Sequence, residues 1–246
     1  MQERGLDPGP FPPMAFIQRR LRQRLLALGL AWFGPRHDRL LADRKRALFA
    51  SLTGTVVEIG PGTGPNLRHY PRGIRWIGIE PNPFMRIHLE AEARRTGSRV
   101  RLLSGRAEAL PLASASVDGV VATLVLCSVE DVQAALSEIR RVLKPGAPFV
   151  FIEHVGAPRG TWLRWLQRAL RPLTRCAGDG CHPDRETWTP LEASGLTLRA
   201  LEHFRLRIPV VSPHISGIAL VDSPPLAPPG LAPAPLAANR HDSIRE

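Results

Sequence analysis

The chain has 246 residues and a formal net charge of +11, with 43% hydrophobic and 22% charged side chains. These proportions exclude a wholly disordered chain, and the length suffices for one full hydrophobic core. The longest apolar run, Leu25 to Phe33, has nine residues, about half of the ~20 that a bilayer-crossing helix needs.

Three cysteines, Cys127, Cys176 and Cys181, cannot make an even disulfide framework, which points to a reducing, cytoplasmic setting. No small-residue cleavage site follows Leu25–Phe33, so a signal peptide is not expected. Of the 33 basic residues only Lys45 and Lys144 are lysine, a bias that warns against reading the charge as function. Its position says more, since +6 of the net +11 sits in residues 1–50. A basic surface attracts nucleic acid, anionic lipid or acidic partners, and charge alone does not choose among them.

Residues 1–13, with DPGPFPP at 7–13, and residues 223–246, with SPPLAPPGLAPAPL, are rich in proline and lack hydrophobic periodicity. Both are expected to be disordered. Within 14–50, Ile17, Leu21, Leu25, Leu28 and Trp32 recur at helical spacing, with Arg19 and Arg22 pointing away. This predicts a basic amphipathic helix that docks on its own domain or on a membrane surface.

A folded domain is expected over 51–222. Strands are predicted at Thr55–Ile59, Ile74–Glu80, Arg99–Leu103, Val117–Thr123 and Phe149–Glu153, and helices at Phe84–Arg95 and Val132–Leu143. An insert at 156–183 carries Trp162 and Trp165. A helix near Arg185–Ser194 and strands near Leu198–Arg207 and His214–Val221 complete the chain. The alternation indicates an α/β fold with a parallel sheet.

The first strand runs into Glu58-Ile59-Gly60-Pro61-Gly62-Thr63-Gly64. Glycines there permit a tight turn and a close approach of a ligand to the backbone. A dinucleotide fingerprint would place its third glycine where Pro65 stands, and a phosphate loop would need Lys-Ser/Thr where Pro65-Asn66 stands. Glu80 closes the second strand, where a carboxylate can accept both hydroxyls of a ribose. Ribose held without a pyrophosphate site points to an adenosine ligand with a different tail, and S-adenosylmethionine fits.

Residues 55–155 resemble a class I S-adenosylmethionine-dependent methyltransferase through VVEIGPGTG, IGIEPN, GRAEALP, SVDGVVATLVLCSV and EIRRVLKPGAPFVFIEHV, in order. The resemblance implies a Rossmann-like fold, a seven-stranded, mostly parallel sheet with an antiparallel last strand, flanked by helices. It also implies that Gly60, Gly62 and Gly64 line the methionine part of the cofactor, with Glu58 near its amino end. Glu80 would hold the ribose, and Ala107 and Glu108 would lie near the adenine. Many relatives carry an acid where this chain has Arg106, a departure for which Glu108 or the backbone would compensate.

LVLCSV, EHV, GDGCHPDRETW and PHISG are similar to the methyltransferase-like thiol S-methyltransferases, alkyl-thiol methylating enzymes found on membranes. Those relatives begin with an apolar leader where this chain has its basic helix, so the expected membrane contact is peripheral, through 14–33. The implied acceptor is a small, lipophilic thiol. The runner-up acceptors are a phospholipid amine, a quinol or another small molecule.

Methyl transfer is an in-line displacement that depends on positioning, and a thiol must also lose its proton. His154, at the end of the fifth strand, is the first candidate base, and His214 the second. Cys127 follows the fourth strand and is expected to wall the cofactor pocket. Asp179 and Arg185 are expected at the acceptor site, with Arg185 lowering the thiol pKa or pairing with Asp179. Trp162, Trp165 and Trp188 are expected to build an apolar acceptor pocket. Cys176-x4-Cys181-His182 lacks a second pair of ligands at suitable spacing, so no metal is expected. RNA is not the expected target, because Ala122–Val125 lacks the signature for base-amine methylation. A noncatalytic cofactor-binding or membrane-surface module is the remaining reading, with Arg106 the feature that favours it.

Overall fold

The computed structural model describes residues 14–222. The proline-rich ends at 1–13 and 223–246 lie outside the described residues. Seven strands form one sheet: β1 (Thr55–Ile59), β2 (Arg75–Ile79), β3 (Val100–Leu103), β4 (Gly119–Thr123), β5 (Pro148–His154), β6 (Thr197–Arg205) and β7 (Pro213–Leu220). Their spatial order is β3-β2-β1-β4-β5-β7-β6. Strands β1 to β5 pair in parallel, and β7 enters antiparallel between β5 and β6. This is the Rossmann-like α/β architecture expected from the resemblance. β1 and β4 begin a run of parallel pairs that reverses direction around them, so the loops after both strands meet at the switch point where such sheets bind ligands.

Both faces of the sheet are covered, as parallel strands require. Val120 and Ala122 of β4 face one cluster with Leu136 and Ile139 of α3 (Val132–Val142). Val121, between them, faces the opposite cluster of Phe49, Leu52, Val56 and Val150. Side helix α2 (Pro83–Thr96) begins at Asn82, whose side chain caps the N–H of Phe84, and turns Leu89 and Ala93 onto Trp76 and Leu67.

The first helix, α1, runs unbroken from Met14 to Phe49. The sequence reading has its periodicity right and its direction wrong for a docked helix. Ile17, Leu21, Leu25, Leu28 and Trp32 all face outward, Trp32 at 83% exposure. The helix docks instead through Ala27, Asp38, Leu41, Lys45 and Phe49. Asp38 accepts from Lys45 Nζ at 2.7 Å and from His69 Nε2 at 3.0 Å, all three side chains being buried. Asp38 and Lys45 sit on the inner face beside Ala27, Leu41 and Phe49 because each finds its counter-charge there, while the leucine stripe is left for the outside.

The segment 156–183 forms helix α4 (Trp162–Ala177), started by the Thr161 hydroxyl accepting from the N–H of Arg164. Its inner face is again polar. Gln167 accepts from the N–H of Ala157 and donates to the carbonyls of Val155 and Val210. Trp162 and Trp165 are exposed, which corrects their expected place in an acceptor pocket. The short helix α5 (Trp188–Glu192) is a compact version of the helix expected at 185–194.

Candidate active site

The carboxyl ends of β1, β2, β4 and β5, roofed by α1 and α4, enclose a cavity of about 1030 Å³. Its floor at one end is the glycine loop. Gly60 sits at φ +59°, and a Cβ there would stand 2.0 Å from Val125 Cγ2, so the loops after β1 and β4 touch only because Gly60 has no side chain. Gly62, at φ +56°, opens onto free space and donates its N–H to Glu80 at 2.9 Å. A Cβ on Gly64 would meet Leu67 and Leu89, on the side away from the cavity.

Glu80 is buried and lines the cavity, each carboxylate oxygen accepting one main-chain N–H, from Gly62 and from Asn82. Burial raises its pKa against those two hydrogen bonds. Each oxygen keeps lone-pair capacity for a ligand hydroxyl. Ala107 and Glu108 form the neighbouring wall. Arg106 pairs with Glu108 at 3.5 Å and Glu130 at 3.1 Å, and Glu108 also accepts from the N–H of Glu130. The Arg106 departure is thus absorbed by a local ion-pair group on the rim. Glu58 does not reach the cavity. Its carboxylate is wholly buried and taken up by Asn66, Tyr70 and Trp76.

The opposite end is built from two loops, 124–129 after β4 and 178–185 after α4. Glu153 of β5 accepts from the N–H groups of Val125, Leu126 and Cys127, and its pKa is pushed up to about 8 by burial and by the neighbouring Cys127 thiolate. Arg185 donates to the carbonyls of Leu126 at 2.6 Å and Val129 at 2.8 Å. No ion pair joins it to Asp179 among the described residues. Gly180, at φ +94°, lets the second loop lie against the carbonyl of Ser128, 2.8 Å from where a Cβ would be. Each loop also holds a non-glycine residue in the left-handed region, Leu124 at φ +58° and Asp179 at +50°, at a cost of about 1–3 kcal/mol each.

These clamps bring Cys127, Cys181 and His154 together. Cys181 Sγ lies 3.3 Å from His154 Nε2, and the ligand atoms of all three residues lie within 4.8 Å of one another. Hydrogen bonding from Cys181 holds the Cys127 thiol well below its ordinary pKa, against burial, with His154 adding to the effect. Burial depresses His154, but the Cys127 thiolate outweighs it and leaves the imidazole raised. The Cys181 thiol is raised, because it donates to that thiolate. The arrangement is two thiols and an imidazole in one group, with the Cys127 thiol shifted towards its charged form and the imidazole raised beside it. Asp179 and Arg185 line the same end of the cavity, while Trp188 packs in the core against His203 and His214 is buried beyond the cavity wall.

Sequence reasoning missed the roof. Arg22, Gln23, Leu26 and Leu30 of α1 line the cavity, and Asn82 Nδ2 donates to the carbonyl of Gln23 at 3.2 Å. It also missed the clamp role of Glu153, although the acid stands beside His154 in the strand.

A family model described as a methyltransferase domain matches residues 57–151. The human thiol S-methyltransferase TMT1B is 36% identical over 204 residues, covering 78% of this chain and 84% of the relative. The human thiol S-methyltransferase TMT1A is 36% identical over 197 residues, covering 75% and 81%. The crystal structure of the [4+2]-cyclase SpnF superposes with a TM-score of 0.62 at 21% identity, over 76% of this chain and 81% of that one. The last likeness is one of fold.

Proposed function

The chain belongs to the thiol S-methyltransferase family, on the class I S-adenosylmethionine-dependent methyltransferase fold, and on that premise we propose that it methylates the sulfur of a small, lipophilic thiol. The observation that carries the proposal is the single cavity running from Glu80 and the glycine loop to the Cys127–His154–Cys181 group. S-adenosylmethionine fits the first end by two features: Gly60 and Gly62 leave room where a side chain would intrude, and Glu80 has spare acceptor capacity for a ribose. Bound there, it supplies an electrophilic methyl group on a sulfonium.

The roles then divide along the cavity. Glu80 takes the ribose hydroxyls, Ala107 and Glu108 bound the adenine, and Gly60 and Gly62 admit the methionine part. Asp179, whose charge reaches Glu80, favours the cationic donor. Cys127 walls the transfer site, and His154 supports loss of the acceptor's proton. Arg185 is a positioning residue, since it holds carbonyls of the loop that carries Cys127.

The outer stripe of α1 belongs to the same proposal. Among the described residues no helix is long and apolar enough to cross a membrane. Exposed Trp32, Phe33, Trp162 and Trp165, set among arginines, suit a peripheral contact with anionic lipid in a cytoplasmic setting. Flotation with anionic and neutral vesicles tests it, and equal recovery of wild type and Trp32→Ser with the anionic vesicles would refute it.

The deciding experiment is turnover of methyl-labelled S-adenosylmethionine with an alkyl thiol, a matched amine, a quinol and a lipid extract, read by mass spectrometry. Labelled thioether is expected. Label confined to the amine, quinol or lipid would overturn the thiol acceptor and keep the reaction class.

A further inference from the structure

The Cys127, Cys181 and His154 side chains come from three separate elements and converge on one buried spot. Cys127 lies on the loop gripped by Glu153, His154 ends β5 and pairs in register with His214 of β7, and Cys181 follows α4. A tetrahedral zinc ion bonds sulfur at about 2.3 Å and imidazole nitrogen at about 2.0–2.1 Å, so its ligands stand roughly 3.5–3.8 Å apart. The observed 3.3 Å between Cys181 Sγ and His154 Nε2, with all three ligand atoms within 4.8 Å, brackets that spacing, and an ion would draw the three atoms to it by side-chain rotation. We propose that Cys127, His154 and Cys181 form a zinc site whose fourth position opens to the cavity and takes the acceptor sulfur.

The chemistry of the donors favours a soft or borderline divalent ion. Two thiolates and an imidazole are a typical zinc set, and three protein ligands with one open position are the pattern of catalytic rather than structural zinc. All three residues line the cavity, so the open position faces the space into which an acceptor would come. Charge also balances. Two thiolates neutralise the ion, and a third thiolate from the acceptor is offset by the nearby Arg185 guanidinium, whose charge reaches both cysteines.

The histidine tautomers agree with the assignment. His214 Nδ1 faces the carbonyl of Ser212 at 3.1 Å and is therefore its protonated nitrogen, which leaves Nε2 as an acceptor. His154 presents Nε2 to the cysteines, which leaves Nδ1 free of the group, and the His214 ring stands with its centroid 6.4 Å away. Both His154 Nδ1 and His214 Nε2 are buried without a protein partner. A metal-bound imidazole commonly uses its far nitrogen as a hydrogen-bond donor, and His154 Nδ1 is the nitrogen left for that role.

The inference rests on the thiol reading only for the fourth ligand. In that step the acceptor thiol binds the ion as thiolate and its proton goes to solvent. The sulfur lone pair then forms the new S–CH3 bond as the donor's C–S bond breaks onto the donor sulfur, and the neutral thioether leaves the ion. His154 contributes as a ligand, and the ion lowers the cost of the thiolate.

The test uses the full chain without an affinity tag, reduced and loaded with zinc, its metal content measured after removal of free ion. About one equivalent is expected, and Cys127→Ser, Cys181→Ser and His154→Gln should each weaken retention about tenfold or more. Cys176→Ser, on an exposed cysteine outside the group, should leave it unchanged. Cobalt loading of the unaltered protein should give thiolate-to-metal charge transfer and intense tetrahedral bands, a readout that stands even if a variant fails to fold. An alkyl thiol added without methyl donor should shift those bands. No stoichiometric metal, retention indifferent to all three substitutions, or full thiol methylation by chelator-stripped protein would each overturn the proposal. Metal bound with the cobalt signature but no thiol methylation would keep the site and overturn the acceptor.

Discussion

The main-chain N–H of His182 donates to the carbonyl oxygen of Cys127 across 2.9 Å, joining the loop after β4 to the loop after α4. With Arg185 gripping Leu126 and Val129 from the same side, hydrogen bonds to main chain add to the packing of Leu126 in the core and fix this end of the cavity. Its geometry is therefore sensitive to single polar substitutions.

Arg185→Gln removes a charged donor shared by two carbonyls. Stability should fall by about 1.5–3 kcal/mol. Since the cofactor end is untouched, kcat should drop while donor affinity by calorimetry is retained. Lost donor affinity at unchanged kcat would contradict the positioning role.

Glu80→Gln leaves one of the two main-chain N–H groups without its carboxylate oxygen and weakens the site for ribose hydroxyls. Binding of S-adenosylhomocysteine should weaken ~10–100-fold, on the scale of a charged hydrogen bond or two. Calorimetry checks this, and affinity within a factor of two of wild type would refute it.

Gly60→Ala drives a Cβ into Val125, 2.0 Å from Cγ2 but 3.4 Å from its Cβ. The single variant should lose cofactor binding and melt at a lower temperature. Adding Val125→Ala removes the colliding methyl, so the double variant should recover most of the loss, keeping about 1 kcal/mol for a side chain at positive φ. Additive losses would show that the collision is not the cause.

Asp38 joins α1 to the body of the protein. Burial pushes its pKa up, but the hydrogen bond from His69 and the Lys45 ammonium outweigh it and hold the group at about 2, below its ordinary 3.8. A depressed carboxylate stabilises the fold above pH ~4 and loses that contribution as pH falls toward 2. Asp38→Asn strands the buried Lys45 and should cost about 3–5 kcal/mol at pH 7 in urea unfolding, with the gap to wild type closing toward pH 2. A constant gap would place its origin elsewhere.

His214 behaves in the opposite sense to a stabilising histidine charge. Burial, assisted by His154 and His37 and opposed by the hydrogen bond to Ser212, holds it at about 4, below the ordinary 6.5. Between those values the unfolded chain binds a proton that the folded chain refuses, so stability falls as pH drops from about 6.5 to about 4. His214→Phe keeps a ring beside Phe204, now 5.3 Å away, and removes the titration. Unfolding at pH 7 and pH 5 should show a smaller decrease in the variant, and an equal decrease would exclude His214 as its source.

The meeting of the glycine loop and Glu80 on one cavity was legible in the sequence because local topology sets where these residues stand. Gly60 and Gly62 must follow β1, and Glu80 must close β2, wherever such a sheet is built. Gly64 and Glu58 share those motifs, but one packs on α2 and the other feeds Asn66, Tyr70 and Trp76, which no spacing reveals. The acceptor end was half legible. Cys127, His154, Asp179 and Arg185 were each identified singly, yet the meeting of Cys181 with Cys127 rather than with Cys176 depends on two loops brought together in space. The face of α1 could not be read correctly, since its buried side mixes Ala27, Leu41 and Phe49 with Asp38 and Lys45, which are satisfied only together with His69. The aromatic residues Trp162 and Trp165 failed for the same reason, with Arg164 and Gln167 on the inner side of α4.

One helix is fastened unequally along its length. Past residue 37, α1 is locked by a buried ion pair and by Leu41 and Phe49 in the core. Before residue 30 it is tied by Asn82 to Gln23, by Arg22 to the Cys176 carbonyl and by Arg20 over the ring of Phe84, contacts near the surface. The same stretch turns Leu26 and Leu30 toward the reaction chamber and Leu25 and Leu28 toward the outside. The exposed leucines and the cavity are thus separated by a single helix diameter, about 10 Å. The two apolar surfaces of α1 lie back to back, one lining the cavity and the other facing outward.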